Sequence, residues 1–336
     1  MLIHSRDKSF RDTSVTPVPN KFTGHFFILV GPTGSGKNSL MAAAIEAIPG
    51  LRQMPTATTR TIRSGEEEGR EHYFVSTEYF QELIRTNALL EWQFLHRHGR
   101  YYGMLRGQIE LALASDENII ADVDYLGAQA ADDAYPTNVI TIFITPPGIS
   151  ELLRRLLSGR GESLPETSRR LLRAPQEFAY TPSCRYNILN DSHSAAASTL
   201  IQIIQSEITN QRASIEQAPR LEMQIMSQLH IHAPHGELID EHSGEAPTFK
   251  LLADELPQRA AERGLREILG DSAHMGHWQH HFEADDGFQP PNYLSAKVLA
   301  DGVEAAVYHY RYDLDVKPEL PQGYRWRNGA PEEATA

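Results

Sequence analysis

Phe26-Phe27-Ile28-Leu29-Val30-Gly31-Pro32-Thr33-Gly34-Ser35-Gly36-Lys37-Asn38-Ser39-Leu40 runs an apolar stretch into a glycine-rich turn, then a lysine, then the helix-favouring segment Leu40 to Ile48. An apolar run bounded by glycine predicts a buried strand. Strand, loop and helix in that order are the setting in which G-x-x-x-x-G-K binds phosphate. Gly34 and Gly36 can adopt backbone angles closed to other residues, letting successive N–H groups turn inward at the positive end of a helix. Gly31, Pro32, Thr33, Gly34, Ser35, Gly36, Lys37, Asn38 and Ser39 are therefore the expected triphosphate cradle. Lys37 adds a point charge for the β- and γ-phosphates. A P-loop usually follows its lysine with Ser or Thr, as a magnesium ligand. Here Asn38 takes that place, and its amide oxygen is the candidate metal ligand, because such oxygens suit hard cations.

Around this loop, 336 residues leave room for two domains. The single cysteine, Cys184, excludes an internal disulfide and fits a reducing compartment. Met1 to Gly24 is polar, reads as a flexible leader and has no signal-peptide core; no apolar run is long enough to cross a bilayer. The expectation is a cytoplasmic protein without a membrane partner. Of the net charge of −13, residues 211–336 carry −10, from 21 acids against 11 bases. That argues against nucleic acid as a partner.

In chain order, Thr56 to Glu66 sets Arg60 and Arg63 in a polar loop, and arginine forks suit bidentate phosphate contacts. A short strand at His72 to Val75, a helix from Thr77 to Arg85, paired strands at Leu89–Phe94 and Arg100–Gly103, and a helix from Arg106 to Ala114 follow. Asn118 to Asp124 reads as a buried parallel strand with carboxylates at its C-terminal end, where open α/β sheets place ligands. Asp124 is the candidate for aligning an acceptor or holding magnesium through water. Asp122 is either a ligand contact or else a helix cap or loop hydrogen bond. A strand at Val139 to Ile144 and a helix from Ser150 to Leu157 lead to Arg154, Arg155, Arg160, Arg169, Arg170 and Arg173, crowded around Ser158-Gly159-Arg160-Gly161. Exposed ion pairs contribute only about 0–1 kcal/mol each. A closing lid that neutralises a transferring phosphoryl group is the sharper reading. Tyr186 to Asn190 gives a last strand and Ser194 to Asn210 a last helix.

From about Phe26 to Ile208 this series resembles guanylate kinase. The motifs are the P-loop, T-T-R-x-x-R-x-G-E at Thr58 to Glu66, F-V-S at Phe74, L-E-W at Leu90, Y-Y-G at Tyr101, D-V-D at Asp122, S-G-R-G at Ser158 and N-D at Asn190. The resemblance implies an α/β fold: a P-loop NTPase parallel sheet core with an acceptor-binding subdomain around residues 55–104 and a lid near 157–168. It implies ATP and Mg²⁺, with GMP as acceptor. Carried over, Lys37 holds the ATP phosphates, and Arg60 and Arg63 grip the acceptor phosphate beside Tyr102. Glu91 accepts from guanine N1–H and the 2-amino group, as an acceptor-only carboxylate can. Asp124 sits near the base or the metal-bound water, and Arg155, Arg160 and Arg170 stabilise the transferred group. The chain departs from the family at three acceptor positions. His72 replaces a phosphate-binding Tyr, Thr56 a Ser facing the base, and Met104 a donor to guanine O6. Ribose 1,5-bisphosphate phosphokinases share the broken P-loop and Tyr180-Thr181-Pro182, which makes that acceptor the alternative. A guanylate-kinase-like binding module is the non-enzymatic alternative.

The reading divides the chain into a leader, 1–24, a guanylate-kinase-like domain, 25–212, and a C-terminal α+β domain, 213–336. In the last, Leu221 to Leu229 reads as the end of a linking helix, and Phe249 to Ile268 as helical with a break at Pro257. Ala296–Leu299 and Ala305–Tyr312 read as strands, and the tail from Pro318 as loose. His230, His232, His235, His242, His274, His277, His280, His281 and His309 concentrate here. H-x-H-x-x-H at 230–235 and H-x-x-H-x-x-H-H at 274–281 have spacings that suit zinc or iron, or else are solvated histidines; no cysteine accompanies them.

Overall fold

The computed structural model describes residues 22–63, 65–95, 99–159, 163–234, 236–279 and 288–328. The leader before residue 22, and with it most of that segment, lies outside the described residues. Thr23 and Gly24 are tied down, since both backbone N–H groups donate to the Leu113 carbonyl.

The apolar run forms β1 (His25–Val30) and the segment after the loop forms α1 (Lys37–Ala47). There follow β2 (Leu51–Gln53), β3 (Thr56–Thr58), β4 (His72–Phe74), α2 (Thr77–Arg85), β5 (Leu89–Leu95), β6 (Arg100–Leu105), α3 (Arg106–Ala114), β7 (Asn118–Asp122), α4 (Tyr125–Ala134) and β8 (Val139–Thr145). Then come α5 (Ile149–Gly159), α6 (Leu164–Leu171), α7 (Ala174–Tyr180), β9 (Tyr186–Leu189) and α8 (His193–Ile208). Strands β2-β7-β1-β8-β9 make the expected parallel sheet. The strands and helices expected between Phe26 and Ile208 form, and β2, β3, α4, α6 and α7 add to them; β3 takes Thr56–Thr58 out of the expected polar loop by pairing with β4 and β6.

By their contacts the residues fall into two compact units. The first takes the described part of Met1–Leu29 with Met41–Ile142 and Leu200–Ser214. Within it, β4-β3-β6-β5 form a second, four-stranded sheet. Ala57, Phe80, Leu83, Leu89 and Leu105 make its core, with Tyr73 and Tyr101 packed against them. Helix α2 shows why such an element forms: Ser76 caps it by accepting from Tyr79 N–H, with Glu78 in the first turn and Arg85 in the last.

The second unit takes Val30–Leu40, Phe143–Thr199 and Ile215–Ala336 as far as they are described. Its C-terminal part contains β10 (Met223–Ala233), β11 (Gly236–Asp240), β12 (Thr248–Lys250), α9 (Pro257–Leu269), β13 (Gly276–Trp278), β14 (Tyr293–Val298), β15 (Glu304–Leu314) and β16 (Tyr324–Asn328). They form a mixed seven-stranded sheet with β10 and β15 paired in parallel at its centre. Three expectations are corrected here. Leu221 to Leu229 is not helical: Met223 begins β10, because pairing with β15 overrides the helix preference of Met, Gln and Leu. Phe249 and Lys250 lie in β12, paired with β10, and Pro257 does not break a helix but starts one, its missing N–H being harmless at the first position. The tail from Pro318 is not loose throughout, since Tyr324–Asn328 pairs antiparallel with β11.

Strand β15 also reaches the arginine-bearing helices of its own unit. Glu304 accepts from Ile149 N–H at 2.6 Å, a carboxylate at the positive end of α5, and the buried Tyr308 hydroxyl donates to the Ser168 carbonyl at 2.6 Å.

Candidate active site

The loop after β1 has the backbone a phosphate cradle needs. Gly31, Gly34 and Gly36 have φ of +141°, +88° and +99°. A Cβ on Gly31 would sit 2.6 Å from the Ile144 carbonyl oxygen, and one on Gly36 2.3 Å from Asn190 Nδ2. That Nδ2 donates to the Ser35 carbonyl at 2.7 Å, so the side chain of Asn190 clamps the loop from the end of β9. Lys37 Nζ donates to the carbonyls of Gly31 and Pro32 at 2.5 and 3.3 Å. Asn38 and Ser39 are exposed at the start of α1, and the Ser39 hydroxyl donates to the Gly36 carbonyl.

On α5 and α6 Arg154, Arg155 and Arg170 are held by carboxylates one helical turn away. Arg154 and Arg155 both donate to Glu151, and Arg155 also donates to the Asn190 carbonyl at 2.9 Å. Through Asn190, Arg155 is thus linked to the glycine loop. Their paired hydrogen bonds pull the Glu151 carboxyl down to about 2. Arg170 donates to Glu166 at 2.9 Å. Arg160 lies outside the described residues.

The four-stranded sheet carries the other expected group. Arg60 is 4% exposed and donates from both terminal nitrogens to Glu66, at 2.7 and 2.8 Å. This fork holds the Glu66 carboxyl at about 2. Glu66 also accepts from the backbone N–H of Arg63, whose side chain is exposed. Arg60 therefore enters the site already paired, while Arg63 extends from the loop. Tyr102 is near enough to act on the Arg60 charge, and its ring meets that of His72 edge-on at 6.1 Å. His72 Nδ1 and Thr56 Oγ1 are 2.7 Å apart. Burial first, and Arg60 second, push the His72 pKa down and favour the neutral ring.

Further along the sheet Glu91 is half-buried opposite Met104. Burial, reinforced by Asp124, raises the Glu91 carboxyl to about 7, and a hydrogen bond from Gln93 opposes the rise. Gln93 also donates to Asp124 Oδ2. The other oxygen of Asp124 accepts from Gly127 N–H at 3.0 Å and caps α4. The helix-cap role expected as one reading of Asp122 thus falls to Asp124. Asp122 ends β7, and its charge acts on His72. Met104 is 2% exposed, with its methyl 3.3 Å and Glu91 Oε2 3.4 Å from the Cβ position of Gly127.

A family model described as "Guanylate kinase" matches residues 23–207, and the guanylate kinase of Bordetella pertussis is 39% identical over 214 residues, covering 63% of this chain and 96% of its own. The chain belongs to the guanylate kinase family. That of Symbiobacterium thermophilum is 36% identical, covering 56% of this chain and 89% of its own. Among solved structures, guanylate kinase from Anaplasma phagocytophilum covers 56% of this chain and 87% of its own, at 26% identity and a TM-score of 0.43. The family uses ATP, and its substrates are nucleotides. Among the described residues no helix is long and apolar enough to cross a membrane.

Within this guanylate kinase region four residues act without having stood out in the sequence. Glu66 and Asn190 lie in quoted motifs, yet only the folded chain shows that one holds Arg60 and the other the glycine loop. Glu151 is legible from helix spacing, three and four residues before its arginines. Gln93 is legible from strand alternation, two residues beyond Glu91 on the same face.

Proposed function

We propose that this chain transfers the γ-phosphoryl group of ATP to the phosphate of GMP, giving ADP and GDP. The observation that carries the reading is that one sheet presents both halves of a nucleoside monophosphate site: Glu91 for the base, and the Arg60, His72, Tyr102 and Thr56 cluster for the phosphate. As a carboxylate, Glu91 accepts from N1–H and the 2-amino group of guanine together; adenine offers no such pair. Met104 gives O6 no hydrogen, so base choice rests on Glu91. Gly31 to Ser39 hold the ATP phosphates, with positive-φ glycines leaving room for them and Lys37 adding charge. Arg155, Arg160 and Arg170 supply positive charge to the group in transit. The exposed Asn38 amide oxygen, with the Ser39 hydroxyl beside it, fits Mg²⁺, which when bound neutralises phosphate charge. Asp124, engaged by Gln93 and Gly127, positions Glu91 and the base side of the site.

The test is ADP release with GMP, dGMP, AMP and ribose 1,5-bisphosphate as acceptors. GMP is expected to give the highest kcat/KM. Faster turnover of ribose 1,5-bisphosphate would replace the acceptor, and failure to bind ATP·Mg²⁺ would make the domain a binding module.

A further inference from the structure

The C-terminal sheet gathers side chains for which phosphoryl transfer has no use. Alternation along β10 buries Leu229 and Ile231 on one side and turns His230 and His232 to the other. The reversal into β11 sets Glu237 directly opposite His232. One ligand atom from each of His230, His232 and Glu237 lies within 4.8 Å of the other two. His230 Nδ1 and Glu237 Oε1 are already 3.0 Å apart. Ligand atoms of a tetrahedral zinc-type ion, with bonds of about 2.0–2.1 Å, stand about 3.3 Å from one another. The 4.8 Å limit exceeds that spacing by about 1.5 Å.

We propose that His230 Nδ1, a ring nitrogen of His232 and Glu237 Oε1 hold a divalent transition-metal ion of the zinc class, with a fourth position left to water. Two imidazoles and one carboxylate suit zinc better than magnesium or calcium, which favour all-oxygen sites. The surroundings are those of a ligand set held in place. His230 Nε2 is 3.0 Å from His309 Nδ1 and 3.1 Å from the Tyr293 hydroxyl, and His309 Nε2 is 2.7 Å from Ser295 Oγ. An ion on Nδ1 of His230 leaves its hydrogen on Nε2, which donates to His309 Nδ1. The Nε2–H of His309 then donates to Ser295, so both ring N–H groups meet an acceptor. Arg327 donates to Glu237 Oε2, turning Oε1 toward the histidines. Arg311, beside His232, is neutralised by Asp313 at 2.8 Å. The second histidine run gathers no such cluster among the described residues: the His274 ring turns to the Asp271 carbonyl and His277 is exposed.

The experiment uses the full chain, stripped with chelator and titrated with Zn²⁺ alone against a chromophoric competitor. One equivalent is expected, lost in His232→Ala, weakened in Glu237→Gln and unchanged in His242→Ala, an exposed histidine outside the cluster. Replacing His309 by Gln should weaken binding about 10–100-fold, as removal of an outer-shell partner does. Co²⁺ loaded into the wild-type chain should show the strong visible bands of a four-coordinate nitrogen and oxygen site, a readout that does not depend on any variant folding. Absence of a stoichiometric site, its survival in a folded His232→Ala variant, or a weak octahedral Co²⁺ spectrum overturns the proposal.

Discussion

In the proposed function the glycine loop meets its anion with backbone N–H donors only a few residues apart, and what they need is space: no Cβ on Gly31 or Gly36. On the acceptor side the corresponding groups are side chains, of the four-stranded sheet and of the α4 cap Asp124, each fixed by another side chain, Arg60 by Glu66, His72 by Thr56, Asp124 by Gln93. A backbone site fails when geometry is disturbed; a side-chain site fails when a partner is removed. The sharpest way to break this contrast is at the loop. Lys37→Ala and Gly36→Ala should each lower kcat/KM by about 10²–10³-fold or more, the first by loss of charge and the second by driving a methyl into Asn190. Kinetics within about tenfold of wild type for either, with the fold intact by circular dichroism, would remove the loop from the reaction.

The sheet should answer differently, in stability as well as rate. Arg60→Ala strips the partner from Glu66 in a site where Arg60 is nearly buried, and should cost about 2–4 kcal/mol in denaturant unfolding while raising KM for the acceptor. Arg60→Lys keeps the charge but not the fork, so it should recover part of the stability and little of the KM. Equal behaviour of the two variants would show that charge alone matters there.

The same contrast explains what could be read from the sequence. The loop was legible because its determinants are neighbours: strand, glycines and lysine within about fifteen residues. The positions of Arg60, Glu91 and Tyr102 followed from motifs, but the pairs that fix them, Arg60 with Glu66 and Gln93 with Asp124, needed the fold. In the C-terminal sheet β10 misleads for a physical reason. Its Met, Gln and Leu residues favour helix locally, and only parallel pairing with β15, some eighty residues on, makes a strand of them. The histidine run carried its own clue in period-two spacing, yet the third member of the cluster, Glu237, lies across a hairpin.

Glu91 sharpens the comparison through pH. With its carboxyl raised to about 7 by burial and by Asp124, it gains the charge that guanine recognition needs as pH rises through about 7. GMP affinity should therefore increase between pH 6 and 8, about where Glu91 titrates, and Glu91→Gln should flatten that rise and weaken GMP binding roughly 10–100-fold. Stability moves the other way. Between the unfolded value near 4.5 and the folded value near 7, the folded chain binds the extra proton, so this group's contribution falls as pH rises. A wild-type GMP affinity independent of pH over this range would show that the base is read by another residue.

The smallest expected effect lies where the C-terminal sheet meets the arginine-bearing helices. Tyr308 is fully buried and its hydroxyl donates to the carbonyl of Ser168 in α6, one residue from Arg169 and two from Arg170. Tyr308→Phe keeps the ring and leaves that carbonyl without its donor, a local cost of about 1–2 kcal/mol. Because about 1.4 kcal/mol is a factor of ten in an opening equilibrium, amide exchange in α6 should quicken roughly tenfold while ATP affinity at the glycine loop stays unchanged. If exchange in α6 is unaltered, the hydroxyl does not anchor the helix. If exchange quickens and ATP affinity falls with it, the loop depends on long-range side-chain partners as the acceptor sheet does, and the contrast between the two kinds of site is lost.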